Sequence, residues 1–223
     1  RMSKANLGQM LVAHRYVRTG SRGAALLALA DGSVLRVSSR TLLRIGPIDL
    51  DAQLKRRVRI KLVYGYVSTI AQAGGMGLVF EIITRTAVAG VRGTHFRVAA
   101  NQGDTRLETT EGAVALDGKN GSARVNAGHG SRVDGSGTPE PPRKLLASPA
   151  RLRPTFGALA PSVPLTWRAV PGATTYRVQV ASDAEFGRNL QTFHTATPRL
   201  TVPGLVRGKH FWRVMAVDRD GFV

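Results

Sequence analysis

Short apolar/polar alternations, turn clusters of Gly, Asp, Asn and Pro between them, and no long apolar pattern of helical period predict an all-β protein. Turn signals recur roughly every 8 to 12 residues, which favours a β-sandwich or short β-roll over any α/β fold. A second, truncated β-sandwich is expected to follow the first. At 223 residues and 43% hydrophobic content the chain can build two cores. Composition divides it into a β domain over 1–127, a Gly/Ser/Pro-rich linker over 128–160, and a second β domain over 161–223 whose last strand is absent.

Residues 24–45 read as two short apolar strands around Asp31, Gly32 and Ser33, because Asp-Gly between hydrophobic runs is a hairpin signal. A helix over residues 23–30 is the competing reading, but eight residues without capped continuation are marginal as a helix. From Arg57 to Leu62 strict alternation puts Val58, Ile60 and Leu62 on one face and Arg57, Arg59 and Lys61 on the other. Tyr64-Gly65-Tyr66-Val67 then reads as a turn into another strand, and Ala73–Gly77 as a flexible link to a strand over Leu78–Ile83.

The stretch Thr86–Val98 combines a β-favouring run, glycines at Gly90 and Gly93, and Phe96 and Val98 alternating with His95 and Arg97. If Phe96 and Val98 face inward, Thr94 and Arg92 follow them, unless Gly90 or Gly93 absorbs one residue as a β-bulge. A buried Arg92 would need backbone carbonyls or an acid such as Glu81 or Glu108. Strands over Arg106–Thr110, Ala113–Leu116 and Ala123–Asn126 follow, separated by Glu111-Gly112 and the Asp117–Gly121 turn cluster. Beyond the Pro-rich stretch, Val163–Trp167, Thr174–Val180, Leu190–His194, Arg199–Val202 and His210–Val217 read as five more strands. Pro171-Gly172-Ala173 and Asp218–Gly221 supply turns, and a further strand is expected after the second.

The formal charge of +18 sets the chain apart from ordinary domains, and its excess sits in the flanks. Residues 1–60 hold twelve Lys/Arg against three acids, 61–134 eight against six, and 135–223 twelve against five. Such a balance points to anionic partners, although an Arg-rich genome composition would produce it too. The row Arg57, Arg59 and Lys61 is the candidate face for an anionic partner, with cations ~7 Å apart along one strand face. The alternative is an edge strand whose charges deter pairing between molecules.

Chemistry finds no foothold. Cysteine is absent, and the five histidines are scattered without ligand spacing to one another or to a carboxylate. No phosphate-binding loop or in-register nucleophile elbow occurs. No catalytic, metal-binding or cofactor-binding residue is expected, and no cofactor. No run approaches the ~18 apolar residues of a membrane helix, and the start Arg1-Met2-Ser3-Lys4 lacks the apolar core of a secretory signal.

Several ordered elements resemble those of FecR-like domains, over about residues 15–135. They are Val17-Arg18-Thr19-Gly20, Leu27–Ser33, Lys61–Val67, Phe80–Thr84, Arg92–Val98 and Glu111–Val114. The structural signature rests on Asp31, Gly32, Ser33, Gly90, Arg92, Gly93, Thr94, Phe96 and Val98, with Thr86–Val98 as its strand pair. The second half is similar to a fibronectin type III-like module, through Leu165-Thr166-Trp167, Val170–Ala173, Tyr176–Ala181 and Phe211–Val214, with Trp167 and Tyr176 as core anchors.

The resemblance implies a non-enzymatic scaffold of the bacterial cell envelope, periplasmic or extracellular, for protein–protein interaction or signal transmission. Its partner would be another envelope protein or an anionic polymer. An adhesin or filament subunit assembled by strand complementation, or a basic nucleic-acid-binding protein, are the other readings. An aromatic content of 6% with no stacking platform ranks nucleic acid below the rest. The oligomeric state is left open.

Overall fold

The computed structural model of the protein describes residues 4–21, 23–29, 32–50, 56–71, 78–91, 93–155, 162–205 and 208–223. Every regular element among them is a strand. In chain order they are β1 (Tyr16–Arg18), β2 (Ala25–Ala28), β3 (Val34–Val37), β4 (Leu42–Leu50), β5 (Arg56–Ile70), β6 (Leu78–Ile83), β7 (Ala87–Val91), β8 (His95–Ala100) and β9 (Thr105–Glu111). There follow β10 (Ala113–Gly118), β11 (Gly121–Asn126), β12 (His129–Val133), β13 (Arg143–Lys144), β14 (Ser162–Thr166), β15 (Thr175–Ala181), β16 (Gln191–Thr195), β17 (Arg199–Pro203) and β18 (Phe211–Val217).

The first thirteen strands form a sandwich whose two layers share one long strand. One layer runs β1-β4-β5-β6-β7-β10-β11, the other β2-β3-β5-β8-β9-β12-β13. All pairs are antiparallel except β5 with β6. Leu43, Ile60, Leu62, Phe80, Ile82 and Leu116 from the first layer meet Leu35, Val67, Phe96, Val98 and Leu107 from the second in a single core. Phe80 and Phe96 touch edge to face at its centre, with ring centroids 6.3 Å apart.

β5 has to face that core from both layers, and the sequence contains the device that allows it. Val58, Ile60 and Leu62 are buried in its first half, Val67 and Thr69 in its second, so the inward parity changes from even to odd. The change occurs where Leu43 pairs with Leu62 but Leu42 pairs with Tyr64, leaving Val63 as an extra residue. Gly65 follows at φ +107, a conformation that glycine alone adopts readily. Thr41 closes the corner: its Oγ1 accepts the Tyr66 N–H at 3.1 Å, and its own N–H donates to Thr19 Oγ1 at 2.9 Å. The expected turn at Tyr64–Val67 is therefore a bend inside one continuous strand, and β5 is central rather than an edge.

Thr86–Val98 is also placed differently from expectation. β7 and β8 do not pair with each other; β7 lies between β6 and β10, β8 between β5 and β9, so the turn at Gly93 (φ +63) carries the chain from one layer to the other. Alternation holds without a bulge in β8, and Thr94, Phe96, Val98 and Ala100 are all buried. The irregularity falls on β9, where His95 opposes Glu111 and Phe96 opposes Thr109, leaving Thr110 extra. Gly90 lies in mid-β7 between Glu81 and Ala115. Gly32 turns β2 into β3 at φ +84, and Ser33 is buried. Asp31 and Arg92 lie outside the described residues.

Within 128–160, read from composition as linker, β12 pairs with β9 and β13 with β12. The buried positions of β12 are Gly130, Ser131 and Val133, so small residues face the protein and little apolar pattern marks the strand. All five strands expected after residue 160 form. They make a two-stranded sheet, β14-β17, and a three-stranded sheet, β16-β15-β18. Between these sheets Trp167 and Tyr176 are buried edge to face at 5.2 Å, with Val163, Leu165, Val178, Val180 and Val202 around them. The Tyr176 hydroxyl accepts the Val170 N–H at 2.9 Å, which satisfies its polar end.

Candidate interaction surfaces

The cation row on β5 is real but partly compensated. Arg57 and Arg59 are half-buried beside Glu81 of β6, at 3.6 and 3.1 Å. The parallel pairing that sets Arg59 opposite Glu81 makes this contact possible. Lys61, one step along the strand, is exposed. Glu81 is thus engaged by two β5 arginines, and Glu108, the other acid suggested for Arg92, is engaged by Arg97.

A larger constellation lies on the second layer, and sequence reading missed it. Cross-strand register aligns Leu26, Arg36, Ser68, Arg97, Glu108, Gly130 and Arg143 in one transverse row over β2, β3, β5, β8, β9, β12 and β13. Residues directly opposite on adjacent strands share a face. This row therefore forms the outer, polar face of a layer whose inner face fills the core. The three-stranded sheet of the second unit covers it, presenting Arg177 and Gln179 from β15 and Arg213 and Met215 from β18.

The tip after β18 fastens the two units. Asp218 accepts the N–H groups of Asp220 and Phe222, both at 2.9 Å, on its Oδ1, folding Asp218–Val223 into a compact turn with Gly221 at φ +81. That turn delivers Phe222 and Val223 to the transverse row. The Val223 N–H donates to Glu108 Oε1 at 2.7 Å, and Arg97 Nη2 donates to the Val223 carbonyl at 2.6 Å. Arg97 Nε stands 2.7 Å from Glu108 Oε2. Arg106 Nη1 donates to the Asp220 carbonyl at 2.7 Å, and Arg143 Nη1 donates to its carboxylate at 2.7 Å.

Arg143 also lies over the Phe222 ring, 4.3 Å from its centroid. Gly130 is required beneath that ring, since a Cβ there would come within 2.6 Å of it. On the far side Arg177 stacks on Tyr66 at 4.6 Å and Arg213 on Phe186 at 4.1 Å.

Glu108 is the electrostatic centre of the seam. Burial pushes its carboxyl above the ordinary range, while Arg97 and the Val223 N–H pull the other way. Burial likewise raises Tyr66, helped by the nearby Glu108. Among the described residues no group of three or more His, Asp and Glu side chains could hold a metal ion. No described helix is long and apolar enough to cross a membrane.

Comparison with known proteins fits this architecture. Residues 15–115, spanning β1 to mid-β10, match the family described as FecR protein. A protein of Treponema pallidum (strain Nichols), named only as uncharacterised, is 34% identical over 64 residues, covering 29% of this chain and 9% of that protein. Two crystal structures of a proposed anti-sigma factor from Parabacteroides distasonis ATCC 8503 superpose at a TM-score of 0.50 and 19% identity. Each covers 58% of this chain and 59% of the other, a likeness of fold. The chain spans less than two thirds of the length of these relatives.

Proposed function

Starting from the FecR domain that residues 15–115 form, we propose that the protein is a non-enzymatic scaffold of the bacterial cell envelope, acting in protein–protein interaction or signal transmission. The family match carries this reading. The seam supports it: Val223 of the second β unit donates to Glu108 and Arg97 pairs with Glu108, contacts through which partner binding at one unit would be felt at the other. The partner is an envelope protein, and the β5 row ending at Lys61 is the surface offered to it.

A photo-crosslinking residue placed at Lys61 in living cells tests this. The expected result is a discrete protein adduct in the envelope fraction, missing when the crosslinker is moved to Arg199. Adducts with nucleic acid, or a wholly cytosolic distribution, would overturn the reading.

Strand complementation into an adhesin or filament is a second reading, favoured by one observation. β18 pairs only with β15 and sits at the edge of its sheet among the described residues.

A further inference from the structure

Between the transverse row and the second unit lies a cleft of about 220 Å³. Arg36 and Arg97 enter it from the FecR layer and Arg177 and Arg213 from the three-stranded sheet, with Tyr66, Ser68 and Gln179 between them. No Asp or Glu is among the described residues that line it. Four guanidinium groups therefore enter a cleft whose described lining holds no acid; the neighbouring carboxylates are Glu108, paired with Arg97, and Asp183, which accepts the Gly187 N–H at the rim. Glu108 is itself occupied by Arg97 and the Val223 N–H, and burial favours its neutral form.

The remaining arginines are held in place without acids of their own. Arg177 lies on Tyr66, and Arg213 lies on Phe186 while its Nε donates to Gln179 Oε1 at 2.7 Å. Arg36 Nη1 is buried with no hydrogen-bond partner. Burial depresses Arg213, and Arg36, Arg97 and Arg177 depress it further, as like charges gathered at one point must. All four arginines are half-buried, and partial desolvation of a charge, like the unmade hydrogen bond of a buried Nη1, is costly.

We infer that this cleft is a binding site for a phosphate-class oxyanion, seated between the two units and bridging Arg36 on one side to Arg177 and Arg213 on the other. The planar fork of arginine matches tetrahedral oxyanions two bonds at a time, and four arginines converging on one cleft favour a dianion over a carboxylate. The volume lies below the ~300–1,000 Å³ of pockets that take drug-sized ligands, which points to a small anion or the terminal phosphate of a larger molecule. This inference goes beyond the scaffold reading and does not depend on who the protein partner is.

Calorimetric titration and thermal melting of the full chain test it, with inorganic phosphate and glycerol phosphate as separate arms against chloride at matched ionic strength. Phosphate is expected to bind and raise the melting temperature, where chloride does not. Binding of inorganic phosphate alone would mark the ligand as the free ion; binding of both would mark it as a phosphate monoester end.

Arg36→Gln is expected to weaken phosphate binding by about tenfold or more, the loss of one charge-assisted bond, while melting in chloride at or above the parent temperature. Arg213→Gln should weaken it similarly, and Lys61→Gln should leave it unchanged. No difference between phosphate and chloride, or full affinity in both Arg36→Gln and Arg213→Gln, would overturn the assignment.

Discussion

Glu108→Ala is expected to destabilise the protein by about 3–5 kcal/mol, read as a shift in the denaturant midpoint, because it strands a buried charge. The carboxylate is 3% exposed and receives the Val223 N–H and the Arg97 guanidinium together. Its removal leaves Arg97 facing the other cleft arginines with no carboxylate opposite and only the Val223 carbonyl to accept from it. Glu108→Gln should cost less, since an amide oxygen in the same place still accepts the Val223 N–H.

The two variants separate packing from charge, and pH separates them further. Burial raises the folded-state carboxyl of Glu108, so the folded protein holds that proton more tightly than the unfolded chain. This contribution to stability is fully present below the ordinary carboxylate pKa and is lost as pH rises through the elevated folded value. Glu108→Gln should flatten that part of the stability curve. A parent protein whose stability rises with pH across the same window would contradict the account of this residue.

Gly65→Ala is expected to cost about 3 kcal/mol or more, combining left-handed strain with a steric clash. At φ +107 the added Cβ would overlap Thr41 Oγ1 and come within 2.6 Å of Thr41 Cα, and the latter is backbone that cannot swing aside. The Thr19–Thr41–Tyr66 hydrogen bonds would break with it. Because β5 belongs to both layers, the loss should appear as a lower midpoint for the whole sandwich rather than as local fraying. A midpoint within 0.5 kcal/mol of the parent, an ordinary surface effect, would show that the corner tolerates a side chain.

What the sequence disclosed follows from where periodicity survives. β8 and the five strands β14–β18 were legible because large apolar residues alternate cleanly with polar ones there, as in Tyr176, Val178 and Val180. β12 was hidden, since its inward positions are Gly130, Ser131 and Val133 and the first two carry no hydrophobic signal. The continuity of β5 was hidden too. A bulge at Val63 resets the parity, and Tyr-Gly-Tyr looks like a turn when only neighbours along the chain are considered.

The row Arg57, Arg59 and Lys61 was visible because it lies along one strand. The row Arg36, Arg97, Glu108 and Arg143 runs across strands, and its existence depends on register, which no spacing in the sequence expresses. The strongest sequence signal for the seam was the Asp218–Gly221 turn, whose Asp-Gly chemistry predicts the bend but not that Phe222 and Val223 dock on a sheet 115 residues earlier in the chain.

The thirteen-strand sandwich and the second β unit are expected to behave as one body fastened at Glu108. Because the chain contains no cysteine, spin labels can be placed at Lys119→Cys and Thr201→Cys without background. Pulsed dipolar spectroscopy on that pair should give a single narrow distance, which broadens when Glu108→Ala is added. A broad or multiple distribution in the protein with Glu108 intact would contradict it.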